Sequence, residues 1–319
     1  MAQFDGDLAP NTTYNGSQSL IDTLLYNGSS VQFQHLVAIT EVQTGAAVTF
    51  HDNRGHTLIG IEDVQTSDLN DIVKLGYSLA AQTGVASYGS REFWLKIELG
   101  AGNDTLTITD DVTTTFPAVN PMGALVLAGA GNDIVSGGKL DDQFDGSTGN
   151  DTIRGNGGND LINGGDGADT LLGGAGNDSI IADGFGATGA ADRITGGAGR
   201  DSITLTHDLS ADRILYTALA DSTVAAHDSI NGFEGGRDKA DLSAIDANSK
   251  LAGNQAFKLV ANFTGHAGEL QYDIINPGTP FDRWSFTADV NGDSKPDFEI
   301  DLIHPQIIAG FGTASWFVL

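Results

Sequence analysis

Aspartate recurs at a nine-residue interval in the middle of this 319-residue chain. Each copy stands at the sixth place of a glycine-rich nonapeptide, and the copies in regular repeats are Asp133, Asp142, Asp151, Asp160, Asp169, Asp178 and Asp201. When the chain coils, carboxylates at a constant period come together and repel each other unless a cation lies between them. An all-oxygen site of flexible geometry suits Ca²⁺ better than Mg²⁺. The spacing therefore predicts a row of calcium sites.

The nonapeptide that positions these aspartates repeats from Ala128 to Thr204 as Gly-Gly-x-Gly-x-Asp-x-U-x, where U is apolar. Glycines at the first, second and fourth places allow φ > 0, so six residues can turn tightly. The last three residues predict a short strand with its middle side chain inside the coil. These apolar residues are Val135, Phe144, Ile153, Ile162, Leu171, Ile180, Ile194 and Ile203. Two nonapeptides are expected to form one coil of 18 residues.

Hydrophobic burial is too small to hold such a coil together. Each nonapeptide buries one aliphatic or aromatic side chain but must order nine residues, which costs backbone entropy. We therefore expect bound cations to be needed for folding. The alternative is a flexible Gly/Asp-rich linker, but linkers carry neither a fixed aspartate nor an apolar residue at a constant period.

The nonapeptide is identified as that of the repeats-in-toxin (RTX) proteins. The resemblance implies an all-β fold, namely a parallel β-roll (a right-handed β-solenoid) that binds several Ca²⁺ ions through aspartates and turn carbonyl groups. An irregular N-terminal β region and a C-terminal β-rich cap are expected to flank this roll.

The candidate calcium ligands include two aspartates from imperfect copies of the repeat, Asp104 and Asp192, besides the seven regular ones. The candidate turn glycines are Gly129, Gly131, Gly137, Gly146, Gly149, Gly155, Gly158, Gly164, Gly167, Gly173, Gly176, Gly196 and Gly199. Some turns depart from the pattern. Leu140 stands at a fourth place, Ser147 and Asn156 stand at second places, and residues 182–195 form a repeat that is five residues too long.

A separate acidic loop contains Asp289, Asn291, Asp293 and Asp297. Their positions 1, 3, 5 and 9 resemble the first part of an EF-hand loop, in which alternate residues point into one oxygen cage. The glutamate expected at position 12 is missing, and Asp301 stands at position 13. A calcium site and a solvated Asn-Gly hairpin both fit this pattern.

Short β-patterned segments separated by Gly, Asn and Asp occupy residues 31–127. We expect a wider, irregular β-solenoid that leads into the roll, with a separate β-sandwich as the alternative. Residues 1–30 are polar and predict a terminal cap or tail. His51, Asp52 and His56 could form a transition-metal site, although loop histidines are mostly solvated.

The segments 238–246, 254–257 and 263–270 resemble the C-terminal domain of the serralysin-type secreted metalloproteases. This likeness covers roughly residues 128–319, so the predicted organisation is 1–30, 31–127, 128–204 (the roll) and 205–319 (the cap). It implies export by a type I secretion apparatus and an extracellular location. In the related proteases an acidic residue followed by three apolar ones closes the export signal, whereas here Ser315 takes the acidic place.

Composition limits the classes of partner. The chain has 42 Asp plus Glu against 15 Lys plus Arg, a net charge of −27, and such a surface repels nucleic acid. Cysteine is absent, which excludes disulfides and thiolate metal sites. No cleaved N-terminal signal peptide and no membrane-spanning run of apolar residues are visible.

The search for catalytic motifs finds none. No histidine is followed by glutamate, so the H-E-x-x-H zinc motif of the serralysin-type proteases is absent. Residues 85–89 lack the first glycine of G-x-S-x-G, and no phosphate loop or dinucleotide fingerprint is present. We therefore assign no catalytic residue.

The leading hypothesis is a secreted, non-catalytic, calcium-binding β-roll protein that acts as an extracellular structural or interaction module. The second is an extracellular polysaccharide lyase or epimerase with its site on residues 31–127. Residues available for such a site are Arg54, Arg91, Tyr77, Tyr88 and Trp94. The third is a calcium-dependent adhesin or surface-layer component, with a cell surface as its partner.

Overall fold

The computed structural model describes residues 95–111, 122–184, 190–206, 210–279, 282–307 and 313–319, and before residue 95 it describes five strands. The chain forms two compact units, Met1–Gly158 (the N-terminal unit) and Asn159–Leu319 (the C-terminal unit). The regular structure of the described residues is β except for two 3₁₀ turns. No helix in the described part of the chain has the length and apolarity needed to cross a membrane.

Some predicted features cannot be compared with the structure. The side chains of the proposed cluster at His51, Asp52 and His56 lie outside the described residues. The same holds for the side chains named for a polysaccharide site, which are Arg54, Arg91, Tyr77, Tyr88 and Trp94. Both ideas stay predictions, as does the division of the chain into four segments.

Two sheets build the N-terminal unit. Its strands are β1 (Thr13–Tyr14), β2 (His35–Gln43), β3 (Val48–His51), β4 (Asp63–Gln65), β5 (Ile72–Leu79), β6 (Leu95–Glu98), β7 (Thr105–Asp111), β8 (Met122–Leu127), β9 (Ile134–Ser136), β10 (Asp141–Asp145) and β11 (Thr152–Gly157). Antiparallel pairs β1–β3, β3–β4 and β2–β5 start the two sheets. Parallel pairs then add strands alternately, as β4–β6–β8–β10 and β5–β7–β9–β11. This alternation is the topology of a chain that coils between two sheets.

The C-terminal unit contains the same kind of coil. Its elements are β12 (Leu161–Gly165), β13 (Thr170–Ala175), β14 (Ser179–Asp183), β15 (Arg193–Ala198), β16 (Ser202–Thr204), β17 (Arg213–Leu215), η1 (Leu219–Asp221), β18 (Asp228–Asn231), β19 (Glu234–Gly235), β20 (Lys239–Asp241), β21 (Lys258–Leu259), β22 (Glu269–Ile275), β23 (Arg283–Asp289), β24 (Phe298–Ile303), β25 (Gln306–Ile307), η2 (Thr313–Trp316) and β26 (Phe317–Val318). The strands β12–β14–β16–β18–β24 pair in parallel in one sheet, and β13–β15–β17–β20–β26 do so in the other.

A β-rich cap ends the coil of the C-terminal unit. Strands β24, β23 and β22 pair antiparallel, and β21 adds to β22 in parallel. The cap has an aromatic core, in which the rings of Trp284 and Trp316 lie 5.0 Å apart and those of Phe286 and Phe317 4.8 Å apart. A covered end is what a solenoid needs, because its last coil would otherwise expose an apolar cross-section and a strand edge.

The apolar residue of each nonapeptide lies inside its coil, as predicted. Val135 and Phe144 are 1% exposed, and the other six predicted interior residues are fully buried. The parallel register stacks them directly, for example Ile153 on Val135 and Ile180 on Ile203. The prediction of an all-β, parallel β-roll with an irregular N-terminal region and a β-rich cap is therefore confirmed.

Candidate metal centre

One row of aspartates runs up the side of the C-terminal unit through Asp160, Asp178, Asp201 and Asp228. The backbone N–H of each aspartate donates to Oδ1 of the next, at 2.8 Å in all three steps. The sequence separation of the partners changes from 18 to 23 and then to 27 residues. The hydrogen bond is thus kept although the length of the coil varies, because the extra residues lie elsewhere in each coil.

A second row on the same unit links Asp169, Asp192, Asp212 and Asp238. Here the N–H to Oδ1 distances are 2.7, 2.9 and 3.1 Å. Asp192 lies within the repeat that is five residues too long and still occupies the place of a sixth-position aspartate. The N-terminal unit repeats the arrangement, since the N–H of Asp104 donates to Asp133 and that of Asp133 to Asp151, at 2.7 and 2.8 Å.

We call these three rows the aspartate ladders. They place the candidate ligands Asp104, Asp133, Asp151, Asp160, Asp169, Asp178, Asp192 and Asp201 at equivalent positions, and each is at most 2% exposed. Oδ1 accepts a backbone N–H at five of these positions, namely Asp133, Asp151, Asp178, Asp192 and Asp201. The other oxygen, Oδ2, is buried and has no hydrogen-bond partner among the described residues at Asp133, Asp192 and Asp201.

Such oxygens fit a bound cation. A buried carboxylate oxygen without a donor costs the desolvation free energy of a charged group, which a cation would return. The first-place glycines leave space at these oxygens, because a Cβ on Gly196 would lie 2.3 Å from Oδ2 of Asp201. Gly137, Gly164 and Gly173 stand in the same relation to Oδ2 of the aspartate five residues later. Gly146 and Gly155 are buried at the same place of their repeats.

The glycines do not all act as expected. We predicted φ > 0 at first, second and fourth places, but none of the first-place glycines has a positive φ. Their role is the space just described. The fourth-place glycines Gly131, Gly149, Gly158, Gly167, Gly176 and Gly199 do have φ between 108° and 149°, and the second-place Gly129 has φ of 103°. Ser147 and Asn156 take left-handed conformations at second places, with φ of 70° and 73°.

Close stacking of the turns gives a test of this geometry. Gly199 has φ of +149°, and a Cβ there would lie 1.7 Å from the carbonyl oxygen of Gly176. Gly199→Ala is therefore expected to open the spacing between turns and to raise the calcium concentration at which the chain folds. Gly278 has φ of +74° with open space around it, so Gly278→Ala is expected to cost only about 1 kcal/mol of backbone strain. Circular dichroism during calcium titration compares the two, and equal midpoints would contradict the stacking.

Asp142 differs from the other candidate ligands. Its Oδ1 accepts the N–H of Ala124 at 2.7 Å, and its Oδ2 accepts the N–H of Gly138 at 3.1 Å. This repeat carries Leu140, a buried side chain, at the place of the fourth glycine. A calcium role for Asp142 stays a prediction, and its second hydrogen bond makes it a weaker candidate than Asp133.

Burial raises the pKa of the ladder carboxyl groups. Desolvation is the main cause that raises the pKa of Asp192 to about 8. Repulsion from Asp183 and Asp212 also raises this pKa, whereas the hydrogen bond from the N–H of Asp169 lowers it. Desolvation also raises the pKa of Asp201 to about 7. Desolvation and the nearby Asp201 raise the pKa of Asp228 to about 8. Burial also raises the pKa of Asp133. Ionised ladder aspartates therefore need a positive partner at neutral pH.

Three rungs of the ladders were not among the predicted ligands. Asp212, Asp228 and Asp238 lie after Thr204, where the nine-residue spacing ends. Desolvation raises the pKa of Asp238 to about 7. Its Oδ1 accepts the N–H of Asp212 and its Oδ2 that of Glu234, so both of its oxygens are hydrogen-bonded, as at Asp142. All three rungs keep the ending of the nonapeptide, which is an aspartate, then any residue, then an apolar residue. This ending is the sequence signal that could have identified them.

Asparagines at the fifth place form a further row that sequence reasoning missed. The backbone N–H of Asn132 donates to Oδ1 of Asn103 at 2.7 Å, and that of Asn150 to Oδ1 of Asn132 at 2.8 Å. In the C-terminal unit Asn177 and Arg200 donate in the same way, to Asn159 and Asn177. These side chains are exposed, so this row ties neighbouring turns together on the outer surface.

The acidic loop between β23 and β24 is closed by its own hydrogen bonds. The carboxylate of Asp289 is fully buried and accepts the N–H groups of Asn291, Gly292 and Ser294 at 3.1, 2.6 and 2.8 Å. The side-chain amide of Asn291 donates to both oxygens of Asp297. Asp293 accepts the N–H of Lys295. Calcium binding by this loop stays a prediction.

Comparison with known proteins gives a family match over most of the described chain. Residues 96–310 match the family model described as peptidase M10 serralysin C terminal. A stretch of 92 residues is 42% identical to metalloprotease AprA of Pseudomonas entomophila (strain L48), covering 28% of this chain and 17% of that protein. Over 91 residues the chain is 34% identical to serralysin of Proteus mirabilis, with the same two shares. The matched region thus spans 17% of the length of these relatives.

Among solved structures, the solution structure of the AlgE6R2 subunit of the Azotobacter vinelandii mannuronan C5-epimerase matches with 20% identity and a TM-score of 0.28. This match covers 64% of this chain and 96% of that one. The family match extends over more than half of the chain and includes the ladders from Asp104 to Asp238. The chain belongs to the serralysin C-terminal family of the M10 peptidases.

Proposed function

We propose that this chain is a secreted, calcium-binding β-roll module that folds when it meets calcium outside the cell and acts there as a structural or interaction module. The observation that carries the proposal is the set of buried ladder aspartates in which one oxygen accepts a backbone N–H and the other has no donor, as at Asp133, Asp192 and Asp201. If these positions needed only the hydrogen bond, an asparagine side chain could accept it equally well.

Calcium would be held by the ladder aspartates together with carbonyl groups of the glycine turns. The ion supplies positive charge that links carboxylates of neighbouring coils, which no other group of this acidic chain offers in such numbers. Calcium tolerates irregular oxygen sites, so coils of unequal length, such as those around Asp192, are compatible with binding. The chain's own part is to align one carboxylate per half-coil and to keep water away from it.

Export through a type I secretion apparatus is part of the proposal. The residues assigned to the export signal lie in η2 and β26, where Trp316 is 1% and Phe317 7% exposed. Trp316 packs against Phe233 and Trp284, and β26 pairs with β20. An exporter could contact these side chains only before the chain folds. A calcium-poor cell interior would keep them accessible until export.

A substitution within one ladder tests the calcium role. Asp201→Asn keeps an Oδ1 that can accept the N–H of Asp178 but replaces the unpartnered oxygen by an amide. We expect the calcium midpoint of folding to rise by about tenfold, because ligand charge sets the affinity of calcium sites. Asp273→Asn, on an exposed residue of β22, is the matched control and should leave the midpoint unchanged. An Asp201→Asn protein with the midpoint of the parent chain would overturn the proposal.

A further inference from the structure

A second group of possible metal ligands lies in the C-terminal unit, beside the ladder residue Asp228 but made of other side chains. His227, Glu299 and Asp301 each offer one ligand atom, and these atoms all lie within 4.8 Å of one another. Glu299 and Asp301 are two residues apart on β24, so their side chains share one face of the sheet. Because Asp228 pairs with Ile300, His227 falls beside Glu299 on that face.

The imidazole of His227 is oriented as in metal-binding histidines. Its Nδ1 lies 3.2 Å from the carbonyl oxygen of Val224. A carbonyl oxygen can only accept, so Nδ1 carries the proton and donates it to this bond. Nε2 then faces Oδ2 of Asp301 at 3.4 Å. A backbone carbonyl that holds one ring nitrogen while the other binds the ion is the usual support of a histidine ligand.

The carboxylates of the group are also held in place. Asp301 is 2% exposed, and its Oδ1 is buried without a hydrogen-bond partner among the described residues. Its Oδ2 accepts Nη1 of Arg283 at 2.8 Å. Oε1 of Glu299 accepts the hydroxyl of Ser285 at 2.9 Å. Oδ1 of Asp301 is thus left without a donor, a cost in free energy that a cation bound by this carboxylate would offset.

We propose that His227, Glu299 and Asp301 form a site for a zinc-like transition-metal ion. One nitrogen and two carboxylate oxygens are a donor set that Zn²⁺ prefers and Ca²⁺ does not, because calcium takes oxygen ligands. Two ligands at about 2.0–2.1 Å from a tetrahedral ion lie roughly 3.3–3.4 Å apart, which matches the 3.4 Å between Nε2 and Oδ2. Two carboxylates and Arg283 leave one net negative charge for the ion. Three protein ligands leave a fourth position for water or a partner group.

The competing explanation is an ion pair between protonated His227 and Asp301, in which no metal takes part. The two explanations differ in whether the chain binds zinc. Isothermal titration of the full chain with Zn²⁺, in saturating calcium so that the β-roll is folded, separates them. We expect the parent chain to bind one zinc ion at this site and His227→Ala to bind it with an affinity lowered by at least about tenfold. His266→Ala, on a histidine that is 80% exposed, is the matched control.

Two further variants make the test independent of a folding defect. Glu299→Gln should weaken zinc binding in a chain with unchanged circular dichroism. Arg283→Met should strengthen it, because it removes a positive charge 2.8 Å from Oδ2 of Asp301. Co²⁺ in place of zinc should give a visible spectrum of low-coordinate cobalt that disappears in His227→Ala. Equal zinc binding by the parent chain and His227→Ala, or no zinc binding by either, would overturn the proposal.

Discussion

Removing calcium is expected to abolish most of the β-sheet signal of this chain at neutral pH. Each coil buries one apolar side chain per nonapeptide and brings aspartates such as Asp178 and Asp201 together. Without cations the folded state therefore gains little and must either carry repelling charges or hold protons that the unfolded chain has released at neutral pH. Each calcium site filled at 100 times its Kd adds about 2.7 kcal/mol to the free energy of unfolding. Several sites in sequence should make folding steep in calcium concentration.

The measurement is far-ultraviolet circular dichroism from chelator to about 10 mM calcium, a range that includes the Kd of roughly 10⁻⁴ to 10⁻³ M typical of extracellular modules. Magnesium at the same concentrations is the control and should restore much less signal, because it demands regular octahedral geometry and gives up water reluctantly. A full β signal in chelator would mean that the aspartate ladders fold without cations.

Calcium-free chain is expected to be more stable at pH 5 than at pH 8. The pKa values of Asp192 and Asp228 are raised to about 8, and those of Asp201 and Asp238 to about 7, from 3.8. Between about pH 4 and pH 8 the unfolded chain has therefore released protons that the folded chain keeps. The stability that these bound protons contribute to the folded state is fully present below about pH 4 and is lost as the pH rises through 7 to 8.

Saturating calcium is expected to reverse this dependence. Calcium binds the ionised carboxylates, so protons compete with it most below the raised pKa values of Asp192 and Asp201. The calcium midpoint should fall by at least about tenfold from pH 6 to pH 8. Urea denaturation at both pH values, with chelator and with calcium, checks the two signs. The same slope under both conditions would contradict a role of these aspartates as calcium ligands.

The regular part of the fold follows from local pattern, which is why it could be predicted. In a nonapeptide the aspartate and the apolar residue are separated by one residue, and a strand puts both on the inner side of the coil. The burial of Asp151 and Ile153, at 1% and 0% exposure, was therefore determined by residues that are close in the chain. The antiparallel cap was expected only in outline, because its pairing joins segments without a repeat.

The ladders beyond Thr204 depend on tertiary structure. The steps to Asp212, Asp228 and Asp238 span 20, 27 and 26 residues, and no fixed period reveals them. What keeps them in register is the parallel pairing of strands, for example β16 with β18 and β17 with β20. The roles of the first-place glycines likewise became apparent only from the position of Oδ2 in the aspartate that each one faces.

The sequence by itself determined that aspartates and apolar residues repeat at a spacing that forms a coil and needs cations. Only the tertiary structure decided which oxygen of Asp133, Asp192 and Asp201 is left for a cation, since this depends on the N–H of the preceding coil. It also decided that His227 meets Glu299 and Asp301, which are over 70 residues further along the chain. Short-range pattern sets the spacing of side chains within one coil, whereas contacts between distant segments arise only when strands pair.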